Sequence, residues 1–210
     1  MALSRALVPA LALFALPALA EDTWLAATAR VEPRSLLRME LTSGAAFPDL
    51  ERPVEAASLA TSACRVGGKD VAMGVGPHWQ YALRLRAWMA EPGIAVCRAA
   101  LDATYAKAVV RVGDTDDDSW SEPVGLGLEI VPLGDPTRLH AGDTLAVRVL
   151  ENGRPLAGLS LRTLTRGRAP SAVTTDARGE ASIALGAGGP WLIAGAAPSA
   201  RTTLTLDVAP

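Results

Sequence analysis

"YALRLRAWM", residues 81–89, places apolar side chains at every second position. One face carries Tyr81, Leu83, Leu85, Ala87 and Met89, and the other carries Arg84, Arg86 and Trp88. A period of two is typical of a half-buried β-strand and not of a helix. The turn residues Glu91-Pro92-Gly93 come next, so residues 94–98 predict a second strand that returns as a hairpin.

Similar short apolar runs recur along the chain, and we find no long amphipathic helix. They predict strands at residues 36–41, 60–66, 106–112, 126–131, 144–150, 159–162, 181–185, 191–194 and 203–208. Asn152-Gly153 lies between two of these runs and predicts a type I′ hairpin turn that joins residues 144–150 to 159–162, because that turn needs positive φ at both central residues. The pattern predicts an all-β fold of two small antiparallel β-sandwich domains in series, of the Ig-like or transthyretin-like type.

An acidic run interrupts the strand pattern between these two groups of strands. It reads Gly113-Asp114-Thr115-Asp116-Asp117-Asp118-Ser119, and Ser121-Glu122-Pro123 extends it. We interpret residues 114–123 as a solvated linker between an N-terminal domain, residues 21–113, and a C-terminal domain, residues 124–210.

The first twenty residues are typical of a secretory signal peptide. Arg5 precedes an apolar stretch, and Ala18-Leu19-Ala20 precedes Glu21, which predicts cleavage after Ala20. A membrane anchor is the alternative, but the apolar stretch is shorter than the roughly 20 residues that a spanning helix needs. We therefore expect a secreted protein, with residues 1–20 removed and no membrane span in the mature chain.

Charge and cysteine content narrow the possible partners. The formal net charge is −2, which argues against a nucleic-acid partner, since such proteins favour a basic face. The only cysteines are Cys64 and Cys97, without a CxxC spacing or a neighbouring histidine. In an oxidising compartment this favours a disulfide over a metal or redox site, and two buried free thiols are the alternative.

Five residues are candidate metal ligands. Asp114, Asp116 and Asp118 resemble the start of a calcium loop, but Ser119 and Gly125 stand where that loop needs a glycine and a bidentate glutamate. The two histidines, His78 and His140, are predicted to lie in different domains. A solvated acidic segment and a loop histidine are the favoured interpretations, so we expect no metal or other cofactor.

Three residues are candidate ligand-binding residues. His78 beside Trp79 forms an aromatic–imidazole pair that we place on a loop, where it could line a pocket. Trp88 is the third, because its predicted face is the arginine face of the strand. No nucleophile elbow, Ser-x-x-Lys or His-Glu-x-x-His motif is present, so we assign no catalytic residue and an enzyme is the least favoured class.

Several stretches resemble one bacterial periplasmic family, the domain of unknown function 4198 family (DUF4198), some of whose members are nickel-uptake components of the NikM or NikK type. They are Asp22-Thr23-Trp24-Leu25, Gly44-Ala45-Ala46-Phe47-Pro48, the Tyr105 to Gly113 stretch, Leu128-Glu129-Ile130-Val131-Pro132 and the Asn152 to Gly158 stretch. The C-terminal half, with Gly189-Pro190-Trp191, also resembles transthyretin-like and carboxypeptidase-regulatory sandwich modules.

The resemblance implies a non-enzymatic periplasmic binding or accessory protein. It would assist envelope transport of a metal ion or another small ligand, with an envelope transporter or receptor component as partner. The alternative is a structural or adhesion module that binds a surface polymer or a partner protein. Metal-linked members carry a histidine at the mature N-terminus and another after the late Trp-Leu strand, where this chain has Glu21 and Ala194-Gly195-Ala196-Ala197. We therefore expect only weak nickel or copper binding at the terminus.

Overall fold

The computed structural model describes residues 21–210, with every side chain in that range except that of His78, so the predicted signal peptide lies outside the described residues. The described chain is all-β, as expected, and no helix in it is long and apolar enough to span a membrane. Two 3-10 turns occur, at Ala56–Ser58 and Ser119–Ser121. The strands are β1 (Asp22–Ala27), β2 (Arg30–Val31), β3 (Ser35–Gly44), β4 (Arg52–Pro53), β5 (Thr61–Val66), β6 (Lys69–Ala72), β7 (Gly74–Trp79), β8 (Ala82–Met89), β9 (Gly93–Leu101), β10 (Thr104–Val112), β11 (Leu128–Pro132), β12 (Thr144–Glu151), β13 (Arg154–Pro155), β14 (Ser160–Thr165), β15 (Ser171–Thr174), β16 (Glu180–Ala184), β17 (Gly189–Ala197) and β18 (Ala200–Val208).

These strands form three sheets. The N-terminal sheet has the order β1-β3-β8-β7, with β4 paired to β3. The shared sheet has the order β15-β14-β17-β18-β10-β9-β5-β6, with β2 paired to β10. The C-terminal sheet has the order β11-β12-β13, with β16 paired to β12. Pairing is antiparallel except where β10 meets β18 and β2.

Two hydrophobic cores confirm the two predicted sandwiches. Residues such as Leu37, Leu83 and Val110 pack the N-terminal sheet against one half of the shared sheet. Residues such as Ile130, Val147 and Leu204 pack the C-terminal sheet against the other half. The sandwiches are joined through one continuous sheet, because residues 104–108 of β10 pair with residues 201–205 of β18.

Strand β8 follows the predicted alternation from Leu83 to Met89, but the prediction that Tyr81 shares the apolar face is wrong, since Tyr81 lies in the turn before β8 and is exposed. Leu83, Leu85, Ala87 and Met89 are buried in the first core, whereas Arg84, Arg86 and Trp88 are exposed. Strand β10 differs, since it is buried at every position from Ala106 to Val112. Val110 faces the first core and Val109 the second, so both faces of this strand are covered.

The predicted disulfide is confirmed. Cys64 of β5 and Cys97 of β9 are directly opposite each other and are bonded, and neither is exposed to solvent. The bond ties two neighbouring strands of the shared sheet beneath the first core. In the chain-entropy model, a bridge of this kind stabilises a protein by about 3 to 4 kcal/mol.

The Asn152-Gly153 turn has the predicted backbone but a different partner strand. Both residues have positive φ, 50° and 76°, as a type I′ turn requires. The prediction that residues 159–162 return beside β12 is wrong, since β12 pairs with the two-residue β13 and β14 pairs with β15 and β17. After this turn the chain passes from the C-terminal sheet to the shared sheet. Leu161 of β14 then packs into the second core from the shared sheet.

The Asp117 carboxylate is one of the groups that fix the acidic segment to β9 and β10, together with the Ser119 hydroxyl and the Thr115 carbonyl. The backbone N–H groups of Ile94 and Ser119 donate to Asp117 at 2.9 and 2.6 Å. Burial acts to raise the pKa of Asp117, but these hydrogen bonds and the Arg111 charge together hold it below its usual value. The predicted division into domains at residues 114–123 stays a prediction.

Candidate binding surface on the N-terminal sheet

The exposed large apolar side chains of the described residues belong to one hairpin. They are Val75, Trp79, Tyr81 and Trp88, with 48%, 40%, 39% and 55% of their surface exposed. All four lie on β7, on β8 or in the turn between them. A concentration of exposed apolar area on one element typically marks a surface that binds a ligand or partner.

Three arginines share the outer face of the same sheet. Arg84 and Arg86 point outward from β8, and Arg38 of β3 is directly opposite Arg86. Like charges in directly opposite positions destabilise an antiparallel pair. None of the three forms an ion pair with another described residue, although Glu40 is opposite Arg84. The surface therefore carries positive charge that the described chain does not neutralise.

We call Arg38, Arg84 and Arg86 the arginine row. Aromatic rings flank it on both sides. At one end, the guanidinium carbon of Arg84 lies 5.0 Å from the centre of the Trp79 ring, within range of a cation–π interaction. Tyr81 meets the same ring edge to face, with centres 5.7 Å apart. At the other end Trp88, opposite Leu36, is more than half exposed.

A shallow groove of ≈ 670 Å³ runs over the arginine row. Its walls include the small residues Ala26, Ala27 and Thr28 on one side and Pro77 on the other. Gly76 of β7 is important for its shape, since a Cβ there would lie 3.3 Å from Cβ of Arg84 and 3.4 Å from Nε of Arg86. The glycine thus leaves the arginine side chains room over the edge strand.

Two of the three predicted ligand-binding residues lie beside this groove, next to arginines that line it, but do not line it themselves. Trp79 and Trp88 border the arginine row, as described above. The backbone of His78 lies on β7, opposite Leu83, so the prediction that it belongs to a loop is wrong. The Gly-Val-Gly-Pro sequence before it hides the strand, because glycine and proline are the usual signals of a turn.

The candidate metal ligands other than His78 lie away from this groove. The His140 N–H donates to Asp143 at 2.8 Å, and Asp116 pairs with Arg138. Asp114 and Asp118 are exposed. Glu21 pairs with Arg52, and its backbone carbonyl accepts a hydrogen bond from Arg201 at 3.1 Å. Within residues 21–210, no three His, Cys, Asp or Glu side chains are grouped to hold a metal ion.

A fully buried ion pair escaped the sequence analysis. Lys107 of β10 donates to Glu129 of β11 at 2.9 Å, and their side chains are 1% and 2% exposed. Glu129 also accepts hydrogen bonds from the backbone N–H groups of residues 124, 125 and 126. Burial lowers the pKa of Lys107, and the Glu129 charge opposes this shift. The sequence does contain a signal for this pair, because Lys107 and Glu129 each interrupt an apolar run, at residues 106–112 and 126–131. Both runs also overlap stretches that resemble the DUF4198 family.

Comparison with known proteins gives one family and many remote structural likenesses, two of which are described here. The family described as "Domain of unknown function (DUF4198)" matches residues 79–196. No curated protein matches the chain. The "D0-D1 domain of Intimin" is 11% identical over 90% of this chain and 98% of its own, with a TM-score of 0.29. A Salmonella alpha-2-macroglobulin mutant is 12% identical over 90% of this chain and 15% of its own, with a TM-score of 0.34.

Proposed function

The chain belongs to the DUF4198 family, a domain of unknown function, and on that premise we propose a non-enzymatic binding protein whose N-terminal sheet holds an anionic ligand. The observation that carries the proposal is the Arg38–Arg86 pair. The two residues are directly opposite each other in the register of β3 and β8 and form no ion pair in residues 21–210, so their like charges repel and an anion bound between them would relieve that repulsion. Each hydrogen bond from a guanidinium group to an anion contributes about 1.5 to 3 kcal/mol.

The charge of the groove favours an anionic ligand over a metal ion. Arg38, Arg84 and Arg86 line it, against the single carboxylate of Glu40. A free cation would be repelled by this surface, whereas a carboxylate, sulfate or phosphate group fits the fork of a guanidinium. An accessory role in envelope transport, with a transporter or receptor component as partner, is therefore proposed for an anionic cargo.

We propose the periplasm as the compartment. The signal-peptide pattern of residues 1–20 supports export, and the Cys64–Cys97 disulfide fits an oxidising compartment. A module that binds a partner through a sheet edge is the weaker alternative. Strand β7 is the edge nearest the groove, and its Pro77 has no N–H to donate to an added strand.

Binding of matched polymers tests the proposed function. We expect the protein spanning residues 21–210 to bind dextran sulfate and not uncharged dextran, with affinity that falls as salt rises. The double variant Arg38→Ala, Arg86→Ala should weaken binding at least tenfold, as measured by isothermal titration calorimetry. Arg154→Ala is the matched control, since Arg154 is an exposed strand arginine without an ion pair in the described chain. Equal affinity of the double variant and this control would reject the proposal.

A further inference from the structure

We propose that the anionic ligand is an acidic polysaccharide whose sugar rings carry carboxylates, an inference that rests on the proposed binding function. The outer face of β8 beside the groove combines two kinds of contact in one line. Arg84, Arg86 and Trp88 follow each other at every second position of β8 and all point outward. At about 3.4 Å per residue, the row from Arg84 to Trp88 is about 14 Å long.

The exposed indoles give this row a preference for rings. Trp88 at one end and Trp79 at the other are 55% and 40% exposed, and Arg84 holds the Trp79 ring in place. An indole face is a flat apolar surface with a polar rim, and it suits the C–H face of a sugar ring. A surface that bound small inorganic anions alone would not need two exposed indoles, whose exposure is unfavourable in water.

The charged groups between the indoles match a sugar acid. Arg38 and Arg86 are cross-strand partners that line the same groove, so both guanidinium groups are within reach of one bound carboxylate. Glu40 lies on the same face and lines the groove, where its carboxylate can accept hydrogen bonds from hydroxyl groups. A uronate unit offers both a carboxylate and hydroxyl donors. An ionised polyphosphate has no hydroxyl group to donate to Glu40.

The test compares polymers that differ in one property. The probes are polygalacturonate, its fully methyl-esterified form, polyphosphate and a single-stranded oligonucleotide, each titrated into the protein spanning residues 21–210 while tryptophan fluorescence and heat are recorded. We expect polygalacturonate to bind most tightly and to change the fluorescence, and the methyl ester to lose at least tenfold in affinity.

Variants separate the roles of the indole and the charge. Trp88→Ala should weaken polygalacturonate binding about tenfold, and Trp88→Leu, which keeps apolar bulk, should weaken it similarly. Val75→Ala is the control, because Val75 is an exposed apolar residue of the same hairpin. Circular dichroism of each variant checks that the fold is retained.

The outcomes distinguish this inference from the proposed function. If dextran sulfate and polyphosphate bind through Arg38 and Arg86 and neither Trp88 variant affects any polymer, the anion site stands and the polysaccharide inference is overturned. If the oligonucleotide binds more tightly than polygalacturonate with the same Trp88 dependence, the ligand is a nucleic acid and the inference again fails. If no polyanion binds, the proposed function itself is rejected.

Discussion

At the scale of single residues, Glu129 is the most heavily bonded buried group of the chain. Its carboxylate receives Lys107 and three backbone N–H groups, and it fixes the loop before β11 against β10. Such a pair does not stabilise a fold by itself, because two charges must leave water, but it is costly to break. Lys107 and Glu129 therefore act in this molecule as a structural pair, distant from the arginine row.

We expect Glu129→Ala to lower the free energy of unfolding by about 3 to 5 kcal/mol, since it leaves the Lys107 ammonium and three N–H groups buried without partners. Lys107→Met should cost less, because Glu129 keeps its three backbone donors. Urea unfolding monitored by tryptophan fluorescence measures both, with Arg154→Ala as the control. A larger loss for Lys107→Met than for Glu129→Ala would contradict this ranking.

Two threonines of β18 form a matched pair for a second prediction. Both are buried, but Thr203 Oγ1 donates to the Thr23 carbonyl at 2.6 Å, whereas Thr205 Oγ1 has no hydrogen-bond partner within residues 21–210. We expect Thr205→Val to raise the free energy of unfolding by about 1 kcal/mol and Thr203→Val to lower it by about the same amount. Urea unfolding measures both, and a loss of stability for Thr205→Val would mean that an ordered water serves this hydroxyl.

At the scale of elements, the strands that are predicted best from the sequence are those with one buried face and one solvent-exposed face. Strand β8 shows this, since its alternation indicates the strand, its buried face and the position of Trp88 beside two arginines. Strand β7 escapes the pattern because its glycines and proline look like a turn, and β1 escapes because Trp24 and Leu25, adjacent in sequence, are both buried. The Arg38–Arg86 contact could not be predicted, because it depends on the register between β3 and β8.

The acidic segment provides a prediction at this scale. Asp117→Ala should loosen the segment on β9 and speed its cleavage by a protease at neutral pH, because the Ile94 and Ser119 N–H groups lose their acceptor and only the Ser119 hydroxyl still donates to the Ile94 carbonyl. Asp118→Ala is the matched control, since its side chain makes no cap hydrogen bond. Limited proteolysis followed by mass spectrometry measures the cleavage rate, and equal rates for the two variants would reject this anchor.

Acid should have the same effect as the Asp117 substitution. The pKa of this carboxyl is lower in the folded chain than its ordinary value of 3.8, so its ionised form favours folding. The contribution is complete above pH 3.8 and disappears as the pH falls through the lower folded value. The protection factor of the Ile94 amide in hydrogen exchange should therefore fall on acidification. In Asp117→Ala it should not depend on pH in this way.

At the scale of the whole molecule, the two sandwiches are neighbours within one sheet. They meet where β10 pairs with β18, and we call this strand pair the seam. Beside it, Trp24 packs against Leu164 and Leu192, and Asp22 forms an ion pair with Arg162 at 2.6 Å. The sequence indicates both groups of strands, but it cannot indicate the seam. The pattern of apolar residues in β10 and β18 does not indicate which strand each pairs with, because the paired residues are far apart in the sequence.

The seam leads us to expect a single cooperative thermal transition for residues 21–210 in calorimetry. Residues 124–210 alone should not fold stably, because β18 would lose its pairing with β10. The predicted domain division has the opposite consequence, namely two transitions and a folded C-terminal fragment. Calorimetry of residues 21–210 and circular dichroism of the fragment distinguish the two.

The seam also determines the order of events in time. Strand β18 is the last strand of the described chain, so one edge of β10 stays without its neighbour until residues 201–205 are available. A chain that is synthesised or exported from its N-terminus first would carry that open edge throughout its passage. Late, long-range pairing is slow, and an unpaired edge invites aggregation. We therefore expect a partly made chain to aggregate more readily than the complete one, because the central sheet closes only when residues 201–205 reach β10.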